Sequence, residues 1–160
     1  MRSQIPWTAP VPTKLVGGCL HDVAMATIRK EIEIHASPER VWEALSDVGA
    51  LHTRLAAGFV VETRMDGDAR VVTFVDGTVV REEIVAVDDA ARRVAWAIVG
   101  QQFHHYNGAA QIFDHADGTR FVWTTDLLPD ELAPHVDTMM AAGIAAIKRT
   151  IEGRRDLAAM

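Results

Sequence analysis

A chain of 160 residues with 49% apolar and 24% charged side chains has the make-up of one folded domain, because at this length roughly 70% of the unfolded chain's surface is buried on folding. Its formal charge of −6 argues against a sequence-independent nucleic-acid binder, which needs a basic face to displace counterions. The one concentration of cations, Lys148, Arg149, Arg154 and Arg155, falls at the end of a predicted helix, where positive charge complements the helix dipole.

Residues 1–26 carry three prolines and a Gly17-Gly18 pair without any periodicity, and read as an irregular arm ahead of a domain spanning 27–157. Cys19 is the single cysteine, so no intramolecular disulfide can form and a reducing compartment is expected. The stretch Val16-Gly17-Gly18-Cys19 has the look of a lipoprotein cleavage site, yet the proline-bearing segment before it offers no apolar run for a signal peptide. Nor does any segment approach the roughly 20 apolar residues of a membrane span. A cytoplasmic protein without stable membrane insertion is the expectation.

From Thr27 to His35, Ile28, Ile32 and Ile34 alternate with Arg29, Glu31 and Glu33, the period of a half-buried strand. A helix follows at once, with Ser37 as its cap, Pro38 at its first position, Glu39 near its positive end, and Val41, Leu45 and Val48 at helical spacing. A second short helical turn is expected over Ala50–Leu55. Six β-branched segments come next, at about 59–65, 70–75, 78–87, 93–99, 105–113 and 119–127, with Asp66-Gly67, Asp76-Gly77 and Asp117-Gly118 between strands. This is the pattern of an antiparallel meander. The last pattern is one long helix from about Asp130 or Pro134 to Leu157, striped by Leu132, Val136, Met139, Met140, Gly143, Ile147 and Ile151. One strand, small helices, six strands and a long helix is an α+β order. A helix of about 25 residues is roughly 37 Å long, and a curved sheet wrapped around it leaves a cavity between them.

The segment from Glu31 to Asp47, with Ser37-Pro38, Val41-Trp42 and Asp47, resembles the opening strand and helix of the START-like or SRPBCC superfamily, in its polyketide cyclase/dehydrase and lipid-transport branch. So do Arg70, Gly77, Glu82, Ile84 and Asp88 at their mutual spacing, Trp96, and Gly118-Thr119-Arg120 with Trp123; the resemblance covers residues 28–152. It implies a helix-grip fold, a curved antiparallel sheet around the long C-terminal helix with an internal hydrophobic cavity. Where many relatives carry a tryptophan in the short second helix, this chain has His52 and Arg54, which makes that region more polar.

Three kinds of role share that fold. The first reading is a carrier or sensor, monomeric or homodimeric, whose partner is a hydrophobic small molecule or lipid. Its expected ligand-binding residues are Arg70, Glu82, Trp96, His104, Tyr106, Phe121, Trp123, Met139, Met140 and Ile144. Arg70 and Glu82 form either a pair inside the barrel or an exposed cross-strand pair. His52, Arg81 and Asp126 are further candidate anchors. The second reading is a cyclase/dehydratase, which needs a base and an oxyanion donor. His104 and Tyr106, two apart on one strand, are its candidate catalytic residues; strand alternation is expected to send both inward and His105 outward, the alternative being His105 inward after a small slip of register. The third is a protein-interaction or stress-response role. No H-E-x-x-H motif, cysteine pair, nucleophile elbow or phosphate loop occurs, so neither a metal nor a cofactor is expected.

Overall fold

The computed structural model describes the backbone of residues 24–158 and the side chains through residue 154. The arm expected over residues 1–26, Cys19 included, thus lies outside the described residues up to residue 23. Strand β1, Ala26–Ile34, buries Ile28 and Ile34 on its inner face. Helix α1, Pro38–Ser46, starts where Ser37 Oγ accepts from the Arg40 amide at 3.4 Å and buries Val41, Ala44 and Leu45. The short helical element expected next is a π-helical turn, Leu51–Leu55, which buries both of its leucines.

The meander follows as β2 (Val60–Asp66), β3 (Ala69–Phe74), β4 (Val79–Asp88), β5 (Arg93–Ile98), β6 (His105–His115) and β7 (Gly118–Leu128). All neighbours are antiparallel, in the order β1-β7-β6-β5-β4-β3-β2. Register irregularities between Val60 and Glu62 and between Ile84 and Ala86 bend the ribbon as bulges do, and curl the sheet toward its inner face. Gly67 and Gly77 take φ of 62° and 89° in the hairpin turns, the conformation that Asp-Gly sequences supply. Gly118 has a different reason to be glycine. It pairs with His115 as the first residue of β7, and a Cβ there would stand 2.3 Å from the Ile34 carbonyl oxygen.

After a 3-10 turn at Asp130–Leu132, helix α2 runs from Ala133 to Ala158, 26 residues. It lays Val136, Met140, Ile144, Ile147 and Ile151 against the sheet. Burying each such side chain contributes about 1.5–3 kcal/mol, so this stripe is the main force holding helix to sheet. Polar contacts fix its position along β1: Lys30 Nζ lies 2.8 Å from Asp137, Lys148 Nζ donates to the Glu33 carbonyl at 2.6 Å, and Glu152 accepts from the His35 amide at 2.9 Å. No helix among the described residues is long and apolar enough to cross a membrane.

Candidate functional site

Between the inner face of β3–β7 and α2 lies a cavity of about 150 Å³, completed by Leu45 of α1 and by Leu51 and Leu55 of the π-turn. It is partly open, and its volume is similar to that of an apolar void that holds one benzene ring. Its walls are set by strand alternation: Val72 and Phe74, Val80 and Glu82, Val94, Trp96 and Ile98, and Phe121 and Trp123 all face it. Met139, Met140, Gly143 and Ile147 line it from the helix, and Gln101, Gln102, Phe103 and His135 line one end.

One ion pair stands in this apolar wall. Arg70 and Glu82 are register partners on β3 and β4, their side chains only 4% and 9% exposed, with Nε 2.7 Å from Oε2. The guanidinium also donates to the Val48 carbonyl at 3.3 Å and lies 5.4 Å from the Trp96 ring centre. Burial of this kind is tolerated because each charge is matched by the other and the arginine is further hydrogen-bonded, and the aromatic face adds a cation–π attraction. The pair gives the cavity polarity without net charge.

Trp96 and Trp123 sit on the same wall, ring centres 6.1 Å apart. Trp96 lies flat over Gly108 of β6, whose hypothetical Cβ would be 2.5 Å from Trp96 Cε2; Gly143 of α2 makes equivalent room for Trp123 and Phe59. Trp96 Nε1, Trp123 Nε1 and Thr125 Oγ1 are buried without a hydrogen-bond partner in the protein.

Tyr106 faces the cavity and packs edge-on against Phe103, ring centres 4.8 Å apart. Burial pushes its phenol up to about 12, and the Glu82 carboxylate adds to the rise. Tyr106 is the only tyrosine, so phenolate absorbance reads it alone. The native protein is expected to titrate near pH 12 and the unfolded chain near its ordinary value of about 10. Because the folded value is the higher one, the associated stability, roughly 2–3 kcal/mol, is complete below pH 10 and is lost as pH climbs to 12. A native midpoint near 10 would place the hydroxyl in water and contradict this environment.

Of the residues expected from sequence, Arg70, Glu82, Trp96, Tyr106, Phe121, Trp123, Met139 and Met140 line the cavity. Ile144 is buried but does not line it. The cavity stripe runs through Gly143 and Ile147, and residue 144 is turned about 100° from residue 143. His104 is a correction as well: it is exposed and outside the cavity wall, and His105 is exposed too. The ladder of β6 begins only at His105, paired with Leu128, and a turn precedes it. Alternation therefore stops one residue short of His104, and Phe103 takes the inward place beside Tyr106. His52 is half-buried away from the cavity, Arg81 is exposed between Asp66 and Glu83 at 3.2 Å each, and Asp126 accepts from Thr27 Oγ1 at 2.6 Å outside it. Arg54 pairs with Asp47 at 2.8 Å. The valine walls were missed although their alternation shows them; the 101–103 turn has no period that could have revealed it. Among the described residues no three His, Cys, Asp or Glu side chains group as a metal site.

A curved antiparallel sheet gripping a long helix around an apolar cavity defines the helix-grip class. The sequence profile of the family described as polyketide cyclase / dehydrase and lipid transport matches residues 25–155, and the chain belongs to that family. Similar solved structures include an uncharacterised protein from Bacillus thuringiensis, 18% identical with a TM-score of 0.70, over 79% of this chain and 98% of the other. Another is a Thalictrum flavum norcoclaurine synthase point mutant in complex with a transition-state analogue, 19% identical with a TM-score of 0.64, over 83% of this chain and 98% of that enzyme. The protein XoxI from Bacillus cereus is 19% identical with a TM-score of 0.67, over 80% and 95%. At these identities the likeness is one of fold. No curated protein matches the chain.

Proposed function

We propose that the protein binds a small hydrophobic molecule in the internal cavity and acts as its carrier or sensor. The observation that carries this reading is the void of about 150 Å³ walled by apolar and aromatic side chains around a charge-balanced pair, the usual composition of a small-molecule site. The family description, which includes lipid transport, supports the same reading. The space in this conformation suits one ring or a short chain. Met139 and Met140, unbranched and deformable, are the walls that would yield to a longer one.

The geometry gives less to the cyclase mechanism. Its expected base, His104, is exposed and outside the cavity, and the phenol of Tyr106, held near 12, donates a hydrogen bond but takes no proton at neutral pH.

Native mass spectrometry of freshly purified protein is expected to show an added mass that denaturation removes. In parallel, single-ring hydrophobic compounds are expected to raise the melting temperature, by the equivalent of about 2.7 kcal/mol at a hundred times Kd. Ala110→Leu, which adds bulk to a buried wall residue, should abolish both effects. A clean mass together with no thermal shift from any such compound would overturn the proposal.

A further inference from the structure

We infer a second ligand site, on the outer face of the sheet: a groove across β5, β6, β7 and β1 that takes a small organic oxyanion, a carboxylate or phosphate on a flat apolar body, between the guanidinium groups of Arg93 and Arg120.

Strand alternation builds the groove from side chains that the cavity does not use. Where Trp96, Ala110 and Trp123 turn inward, Ala109, Gln111, Val122 and Thr124 turn outward and line a space of about 340 Å³. Its floor is small and apolar, and Val122 is only 8% exposed although it points away from the core. Arg93, Phe113 and Arg120 wall one end. The register sets the two arginines on either side of β6: Arg93 is opposite Gln111, and Arg120 is opposite Phe113, two residues along. Two strand spacings and two residues put their Cα atoms roughly 12 Å apart, near enough for both long side chains to reach one anion between them. Arg120 lies over the Phe113 ring, its Cζ 4.9 Å from the ring centre. A guanidinium stacked in this way is steadied and keeps its in-plane N–H donors for another partner.

These two cations are unspent. Arg29, Arg54, Arg70, Arg81 and Arg92 each have a carboxylate within 3.3 Å. Among the described residues Arg93 and Arg120, both half-buried, have no ion pair and no side-chain hydrogen bond. Carboxylates at neighbouring positions are engaged: Glu33, opposite Arg120 on β1, lies 3.0 Å from His115 Nε2, and Glu31 lies 2.5 Å from Arg29. Asp126 is the one acid lining the groove among the described residues, and it accepts from Thr27 Oγ1. It stands six residues from Arg120 along β7, roughly 20 Å away, well beyond the screening length of about 8 Å in physiological salt. The arginine end therefore attracts an anion, and the fork of each guanidinium matches the paired oxygens of a carboxylate or phosphate. The apolar floor and Phe113 receive the flat body that carries them.

The probes are benzoate and phenyl phosphate, with benzamide as the uncharged counterpart, titrated into the ¹⁵N-labelled full chain. Both anions are expected to shift the Nε–H resonances of Arg93 and Arg120, and benzamide is expected to leave them in place. Arg93→Gln and Arg120→Gln should each weaken anion binding about tenfold or more, the value of a hydrogen bond to a charged group. Two neighbours on β6 decide the location. Ala109→Leu, which fills the groove, should abolish anion binding, whereas Ala110→Leu, which fills the cavity, should leave it unchanged. Thermal melts show which variants are folded, and the arginine variants carry the test if a leucine variant is not. The reverse leucine pattern would put the anion in the cavity and overturn this site. Anion affinity unchanged in both arginine variants, or no response to either anion, would overturn it as well. Capture of the protein by phosphatidylglycerol vesicles when neither soluble anion binds would overturn it in favour of a lipid surface. The cavity proposal stands or falls separately, on neutral ligands.

Discussion

Glu82→Leu is expected to destabilise the protein by about 3–5 kcal/mol, among the largest losses any single substitution here should cause. The reason is what it leaves behind: an arginine 4% exposed, with its matching carboxylate 2.7 Å away removed, and only the Val48 carbonyl and the Trp96 face to hold it. Arg70→Met should cost a similar amount by stranding Glu82. The double variant Arg70→Met/Glu82→Leu should cost much less than either single one, and can even exceed the parent in stability, because two apolar side chains in an apolar wall need no counter-charge. Denaturant unfolding of all four proteins closes the cycle. Additive losses would mean that the pair is uncoupled, as an exposed cross-strand pair worth under about 1 kcal/mol would be. The double variant should also retain an apolar cavity, which makes it a control for how much polarity ligand binding requires.

The second large effect concerns Trp96 and the glycine beneath it. Trp96→Ala is expected to cost about 3–5 kcal/mol, since it removes a large ring that is 5% exposed and leaves an enlarged cavity. Gly108→Ala should cost about 1–3 kcal/mol by overpacking, because its Cβ would stand 2.5 Å from Trp96 Cε2. The sign is expected to reverse when the two are combined. In the Trp96→Ala background the obstacle is gone, and alanine should then stabilise relative to glycine by about 0.5–1 kcal/mol, since glycine inside a strand is costly for the backbone. If Gly108→Ala is equally harmful in both backgrounds, the indole is not what forbids the side chain.

Much of the architecture was legible because period and punctuation agree along the chain. The Ile28, Ile32, Ile34 alternation gave β1, Ser37-Pro38 marked the start of α1, and Asp66-Gly67 and Asp76-Gly77 gave their hairpins. The site was legible wherever a residue sat well inside a regular element. Glu82, Trp96, Phe121 and Trp123 reach the cavity from well inside strands, and Arg70 and Tyr106 from the second residue of theirs, where the ladder already holds. His104 failed at a boundary, where alternation no longer governs and a turn ending in Phe103 supplies the wall. Ile144 failed for a different reason. A helix packed against both sheet and cavity has a buried face wider than the part that meets the void, and hydrophobic spacing marks the wider face only. Gly118 shows the same limit, since a dipeptide read as a turn serves a close backbone approach that only the folded chain reveals.

The pairing of β1 with β7 bears on how the molecule assembles. Strands β2 through β7 meet their neighbours through successive hairpins, so their pairing can spread along the chain with small closure entropies. β1 has no such route: Thr27 meets Asp126 across 99 residues, and Lys148 of α2 reaches the Glu33 carbonyl across 115. Contacts of such separation form late and slowly. The first strand and the last helix should therefore dock as a concluding step upon a meander already paired, and the cavity comes into existence only then. A molecule held between helix and sheet would act on that step by slowing undocking, so occupancy should register first as a longer lifetime of the closed fold.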